Sequence, residues 1–199
     1  MNKIRFFIAL YISKIAVIAL KLFGYKGTDF PGYIAFKICP DFLRYIKKPD
    51  MLIGITGTNG KTTVTNLIAD MLNNLGIQVV INRDGSNTHT GISTALIKAS
   101  NLLGKCKYKM AILEMDERSM RIIGDQIQID KLVICNLSRD SIMRTGHPEF
   151  VRNILTKFVP CNTEIICNAD DYNAYSVSPN NKKVYYGIKK AESDKIESD

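Results

Sequence analysis

One run constrains this chain more than any other: Met51 to Thr63, "MLIGITGTNGKTT", an apolar segment that breaks into glycines and closes on Gly-Lys-Thr-Thr. Its first six residues read as a short buried strand. Beyond Thr63, Leu67, Ile68, Met71, Leu72 and Leu75 recur on one helical face, and Gly76 stops the helix. A glycine loop between a strand and a helix is the setting of a phosphate-binding loop, because glycines let backbone N–H groups turn toward an anion at the positive end of the helix dipole. The spacing is not that of a Walker A loop, which wants a glycine five residues before the Gly-Lys pair. That position holds Ile55, and the glycines fall at 54 and 57.

Side-chain chemistry narrows the ligand to a nucleotide triphosphate. Lys61 suits the β/γ-phosphates and is the catalytic candidate, and the Thr62 hydroxyl suits Mg2+. Gly57, Thr58, Asn59, Gly60, Lys61, Thr62 and Thr63 are therefore the expected phosphate-binding set.

Downstream, apolar runs alternate with helical patterns. "IQVVIN", "KMAILE", "KLVICN" and "EIICN" read as strands; "GISTALIKASNLLG", "ERSMRIIG" and "PEFVRNILTKF" read as helices. Such alternation predicts an α/β fold, a P-loop-type parallel sheet with helices on both faces. The expected organisation is an N-terminal helix and connector over 1–48, an ATP-binding domain over 49–188 and a charged, disordered tail over 189–199.

In open parallel sheets the ligand crevice lies beyond the carboxyl ends of the strands. Thr56 and Gly57, Asn82, Glu114, Asn136 and Asn168 all fall there. Glu114 is the expected second magnesium ligand, with Asp116 and Glu117 read as surface or supporting residues. Asn82 and Asn136, with Arg139, Asp140 and Arg144 just beyond, are candidates for substrate or phosphate contact; capping and ordinary ion pairing account for the charged three nearly as well. Neither His89 nor His147 has metal-ligand spacing with a partner.

Charge and cysteines set the remaining bounds. A net charge of +8 favours nucleic acid, anionic membrane or phosphate-rich ligands, and equally fits a solvated lysine-rich surface. Five cysteines without a C-x-x-C pair encode neither a disulfide framework nor a zinc knuckle, which fits a reducing cytosol. Cys135 and Cys167 sit in apolar runs and are expected in the core. The N-terminal "MNKIRFFIALYISKIAVIALKLFG" has its longest unbroken apolar run from Phe6 to Ile12, far short of the roughly 20 residues that span a bilayer. At about 100° per residue Lys3, Lys14 and Lys21 share one stripe, so an amphipathic helix docked on the domain is expected, with membrane-surface contact or a cleaved or spanning segment as the other readings. The following "GYKGTDFPGYIAFKICPDF" reads as a turn-containing connector.

"GTNGKTT", the strand-end Glu114, "NLSRD" (136–140) and "NADD" (168–171) occur in the order found in the Mur ligase superfamily, ATP-dependent enzymes that join amino acids to cell-wall precursors or folates. Within it the chain is similar to the MurT branch, the ligase-like subunits of lipid II isoglutaminyl synthase. That similarity runs through "GTDFPGYIAFKICPDFLRYI" (27–46), "NRDGSNTHTGISTAL" (82–96, which adds Asn87 to the possible contacts), "LEMDERSM", Arg144, Gly146 and "VYYG" (184–187). It implies ATP and Mg2+, a lipid II substrate whose D-glutamate α-carboxylate becomes an acyl phosphate, a GatD-type glutaminase partner supplying ammonia, no nucleic acid, and a cytoplasmic location at the inner face of the plasma membrane. Two departures separate it from amino-acid-adding members: Ser141 follows Asp140 where they carry a histidine, and Leu155 stands where they carry a carbamoylated lysine, with Lys157 out of register. The branch continues with a four-cysteine zinc ribbon and a C-terminal domain bearing a catalytic aspartate, so these 199 residues are expected to be the N-terminal part, with zinc only downstream. Two alternatives stay open: another Mur-type ligase adding an amino acid or extending folate, and a nucleotide-binding module that has lost catalysis.

Overall fold

In a computed structural model the chain is described over residues 2–82, 86–138 and 147–188. Three helices come first: α1 (Asn2–Leu22), α2 (Phe30–Ile38) and α3 (Phe42–Tyr45). There follow β1 (Met51–Thr56), α4 (Lys61–Asn74), β2 (Val79–Ile81), α5 (His89–Ala99), β3 (Met110–Glu114), α6 (Met120–Gln126) and β4 (Lys131–Ile134). The last described elements are α7 (Pro148–Phe158), β5 (Glu164–Asn168), α8 (Tyr172–Tyr175) and β6 (Lys183–Tyr186). The sheet has six strands in the order β2-β3-β1-β4-β5-β6, every pairing parallel. The expected α/β architecture is present.

Strand alternation divides the interior. Leu52, Ala111, Leu113, Leu132, Ile134, Ile165 and Cys167 point into the larger core, shared with α1, α2, α3, α5, α6 and α7. Ile55, Ile112 and Cys135 point the other way, where Val64, Ile68 and Leu72 of α4 cover them. Cys135 and Cys167 are buried as expected, and burial raises the pKa of each thiol.

Three expectations are corrected. The apolar face of α4 is split: Ile68 and Leu72 pack on the sheet, while Leu67, Met71 and Leu75 form an i, i+4, i+8 row on the outer side. The stretch read as a connector contains α2 and α3, because Pro31 sits in the first turn of α2, where a missing N–H costs nothing. Their residues Ala35, Phe42 and Leu43 join the larger core, so this region is not a mere link.

The third correction concerns the polarity of α1. Phe6, Ala9 and Leu10 are buried, with the Phe6 ring 5.1 Å from Phe42 and 5.8 Å from Tyr45. Lys14, expected on a solvated basic stripe, points inward: Nζ donates to the Ile97 carbonyl at 2.8 Å and the Ser100 carbonyl at 2.7 Å. It thereby caps the C-terminal end of α5, where carbonyls lack helical partners and the dipole favours a cation. Desolvation, then Lys107, lowers its pKa.

At the other side of the sheet Lys131 and Glu164 stand opposite in the β4–β5 register, and the Lys131 ammonium donates to Glu164. Lys182 pairs with the same carboxylate at 2.6 Å. Hydrogen bonds from these two lysines bring the Glu164 pKa from 4.5 down to about 2. A depressed carboxylate stabilises the fold above its ordinary pKa, and that contribution disappears as pH falls from about 4.5 toward 2. Replacing Lys131 by Met should move the Glu164 titration upward toward its ordinary value, read by carboxyl NMR; an unmoved titration would show that Lys131 does not hold it.

Candidate functional site

The site begins where β1 runs out. Gly57 has φ +132° and Gly60 φ +82°, both left-handed, and Gly60 directly precedes α4. A Cβ on Gly57 would lie 2.8 Å from the Asn136 carbonyl oxygen and 2.9 Å from its nitrogen, so the loop is pressed against the end of β4. The off-register glycine is thus the residue that lets β1 and β4 stay adjacent while the chain turns.

Asn136 ties the loop down. Its carbonyl accepts from the Thr58 N–H at 2.8 Å, and its side-chain oxygen from the Asn59 N–H at 3.1 Å. Its amide donates to the Asn59 carbonyl at 3.1 Å, and the Thr58 hydroxyl donates to the Ser138 carbonyl at 3.0 Å. The first turn of α4 follows, with no side-chain cap on its N-terminus and no acidic residue in its first turn. Its leading N–H groups have no partner within the helix, an arrangement that can receive phosphate oxygens.

Lys61 curls back over this loop, donating to the Gly57 carbonyl, to the Thr58 carbonyl at 3.4 Å and to Glu117 at 3.3 Å. Glu117 is only 2% exposed, and its Oε1 also accepts the Gly57 N–H at 3.0 Å. Its Oε2 is buried without a hydrogen-bond partner among the described residues. Sequence reasoning left Glu117 as a surface or supporting residue; the structure makes it a supporting one, a buried carboxylate fastened to both the loop backbone and Lys61. The available signal was its place three residues past the strand-end Glu114.

Glu114 is 4% exposed, and its two oxygens are separately held. Oε2 accepts from the Thr62 hydroxyl at 2.7 Å and Oε1 from the Asn87 amide at 2.9 Å. Asn82 fixes the backbone beneath: its oxygen accepts the Glu114 N–H at 2.8 Å, and its amide donates to the Glu114 carbonyl at 2.7 Å and the Ser86 carbonyl at 2.8 Å. Neighbouring oxygens in an octahedral magnesium shell stand about 2.9 Å apart. The Thr62 and Glu114 oxygens are hard donors at nearly that separation, so the pair fits Mg2+, which keeps its other positions for water and phosphate. Among the described residues no group of three or more His, Cys, Asp and Glu could hold a metal ion.

Of the expected residues, the structure brings together Gly57, Thr58, Asn59, Gly60, Lys61, Thr62, Glu114, Asn87 and Asn136 around one loop, with Asn82 as the brace under Glu114. Thr63 lies exposed on the first turn of α4. Arg139, Asp140, Ser141, Arg144 and the 189–199 tail lie outside the described residues. Asn168 accepts the Asp170 N–H at 2.9 Å, while Asp171 accepts the Leu137 N–H at 2.5 Å and so steadies the segment carrying Asn136. The histidines have structural places: His89 packs edge-on to Phe36, and His147 caps α7.

Comparison with known proteins fits this geometry. The Mur ligase middle domain family matches residues 55–199. The chain belongs to the Mur ligase family. It is 35% identical over 184 residues to the lipid II isoglutaminyl synthase (glutamine-hydrolyzing) subunit MurT of Staphylococcus aureus (strain COL), covering 91% of this chain and 41% of that protein. The corresponding subunit of Streptococcus pneumoniae (strain ATCC BAA-255 / R6) is 33% identical over 166 residues, 82% of this chain and 36% of that one. The chain thus spans about two-fifths of the length of these curated relatives. Among solved structures, MurF from Acinetobacter baumannii superposes with a TM-score of 0.58 at 16% identity, over 76% of this chain and 34% of that one. A UDP-N-acetylmuramoyl-L-alanyl-D-glutamate--2,6-diaminopimelate ligase superposes with a TM-score of 0.56 at 24% identity, over 84% of this chain and 37% of the other. These superpositions carry the fold.

The wedge at Gly57 gives a direct test. Gly57→Ala combines a left-handed φ with a backbone clash, so it should lower unfolding free energy by about 2 kcal/mol, measured by urea titration. A Gly57→Ala chain as stable as the parent would mean that β4 can yield at Asn136.

Proposed function

We propose that this chain is the nucleotide-binding part of a MurT-type ligase subunit, which activates the D-glutamate α-carboxylate of lipid II as an acyl phosphate for amidation by ammonia. The observation that carries this reading is the Lys61–Glu117 and Thr62–Glu114 pairing around one glycine loop, in a chain 35% identical to a MurT subunit over 91% of its length. A carboxylate becomes an electrophile once one oxygen carries phosphate, and phosphoryl transfer needs mainly positioning and positive charge.

Each residue then has a task. The N–H groups from Gly60 to Thr63, at the start of α4, hold the phosphate chain, while Glu117 and Asn136 take up those of Gly57, Thr58 and Asn59 and so keep the loop in place. Lys61, released from the Gly57 carbonyl and Glu117, neutralises the transferring group, while Glu117 retains the loop through the Gly57 N–H. Thr62 and Glu114 would hold magnesium, with Asn87 and Asn82 orienting the carboxylate. The ion, when bound, supplies charge neutralisation between phosphates. Arg139 and Asp140 are proposed contacts for substrate or phosphate. A glutaminase of the GatD type supplies the ammonia, the zinc ribbon and catalytic aspartate come from sequence downstream, and the assembly works in the cytoplasm at the inner face of the plasma membrane.

The test is amidation of lipid II by the complete subunit containing this chain, with its glutaminase partner, ATP and glutamine, followed by mass spectrometry. Isoglutamine formation is expected; ATP consumption with incorporation of a labelled amino acid would select another Mur-type ligase, and nucleotide binding without turnover would select a binding module. On the same complex, Lys61→Ala should weaken ATP binding by about 10- to 100-fold in calorimetry. Glu114→Gln should abolish the dependence of that binding on magnesium. Undiminished affinity in the first would refute the loop assignment.

A further inference from the structure

The inward turn of Lys14 leaves α1 with an unusual exterior. Ile4, Ile8, Tyr11, Ile15, Ile18 and Leu22 are all exposed, from 43% at Tyr11 to 80% at Leu22, and they follow one another at alternating steps of four and three. Ile12 is exposed as well, widening the apolar face to roughly 120° at about 100° per residue. Leu102 and Leu103 are exposed too, but on a turn closed by the Gly104 N–H and the Asn101 carbonyl whose glycine backs onto the Phe6 ring, on the inner side of α1. Contiguous apolar surface of this extent marks a docking site.

Charge decides among occupants. Residues 1–28 contain Lys3, Arg5, Lys14, Lys21 and Lys26 and no aspartate or glutamate. Lys3, Arg5 and Lys21 are exposed along the edges of the apolar stripe. A second copy packed along the same seam would place Lys3, Arg5 and Lys21 in its flanking positions with no acidic partner in residues 1–28, leaving like charges opposed. An anionic lipid surface offers both an apolar layer for the isoleucines and negative headgroups for the lysines. Among the described residues no helix is long and apolar enough to cross a membrane.

We infer that the outer face of α1 is a docking surface that lies in the headgroup layer of an anionic bilayer. The helix, 21 residues and so about 30 Å long, rests parallel to the membrane, with its inner face still sealed on the protein by Phe6, Leu10 and Lys14. The surface docks whether or not the nucleotide site turns over, so the ligase reading and this one can fail separately.

The experiment is co-sedimentation of the complete subunit containing this chain with vesicles of phosphatidylcholine containing about one-third phosphatidylglycerol, with pure phosphatidylcholine alongside. Binding to the anionic vesicles is expected, weaker on the neutral ones and falling as salt rises. The exposed pair Ile8→Ser with Ile15→Ser should lower partitioning by at least about tenfold. Arg5→Glu with Lys21→Glu should do so on anionic vesicles while leaving residual neutral binding alone. Both variants should melt with the parent, because neither touches a buried residue. A parent chain that ignores anionic vesicles, or an isoleucine variant that binds them equally, overturns the inference. Dimerisation seen by light scattering and abolished by the same isoleucine changes would assign the face to a second copy, and a monomer without vesicle affinity would assign it to a protein partner.

Discussion

Everything around the glycine loop depends on how closely β1 and β4 approach at their carboxyl ends. Gly57 lies against the Asn136 backbone with no room for a side chain, and the polar groups of Asn136 take up the loop's own N–H and carbonyl groups. Glu117 closes the other side by accepting the Gly57 N–H. The loop is therefore not a flexible strap over the sheet. It is clamped between two strand ends, and its shape is set before any anion arrives, so little ordering cost falls on binding.

The same parallel topology explains why carboxylates can be buried here. A carboxylate without partners in a dry site is costly. Glu114 is offset by the Thr62 hydroxyl and the Asn87 amide, and its backbone is gripped by Asn82 from the neighbouring β2 end. Because β2, β3 and β1 are adjacent and all point one way, their last residues arrive at one edge with their side chains in register. Glu117, by contrast, keeps one oxygen unpartnered and holds Lys61 in a folded-back pose. The loop is thus held firmly while its lysine is stored on a carboxylate that an anionic ligand can replace.

The N-terminal helices belong to the same body as the sheet. Phe6, Leu10, Ala35 and Phe42 share a core with Leu52 and Leu132, so removing α1 would open the larger core. Lys14 locks the arrangement by capping α5, and the consequence is an apolar exterior on a helix whose composition suggests the reverse. The cross-strand pair of Lys131 and Glu164 shows a simpler electrostatic logic, in which two cations fix one carboxylate at the start of two strands.

Much of this was legible in the residues. Strand and helix alternation, the glycine loop, and the placement of Thr62 with Glu114 follow from period, spacing and the rule that ligands sit at the carboxyl edge of a parallel sheet. The burial of Cys135 and Cys167 follows from their apolar runs. What periodicity could not give was direction. A helical wheel puts Lys3, Lys14 and Lys21 on one stripe, but only packing against the end of α5 decides that Lys14 faces inward. Leu67 and Ile68 are neighbours in any pattern, and packing against Ile55, Ile112 and Cys135 of the sheet selects Ile68 for burial while Leu67 stays exposed. Glu117 and Asn136 acquire their hold on the loop from contacts across 60 and 77 residues, which no local pattern encodes. The sequence by itself determined the fold class and the position of the glycine loop between a strand and a helix, because these rest on local backbone and side-chain preferences. The tertiary structure alone decided which polar groups brace that loop and which face of α1 meets the surroundings, because both depend on which distant surfaces come together.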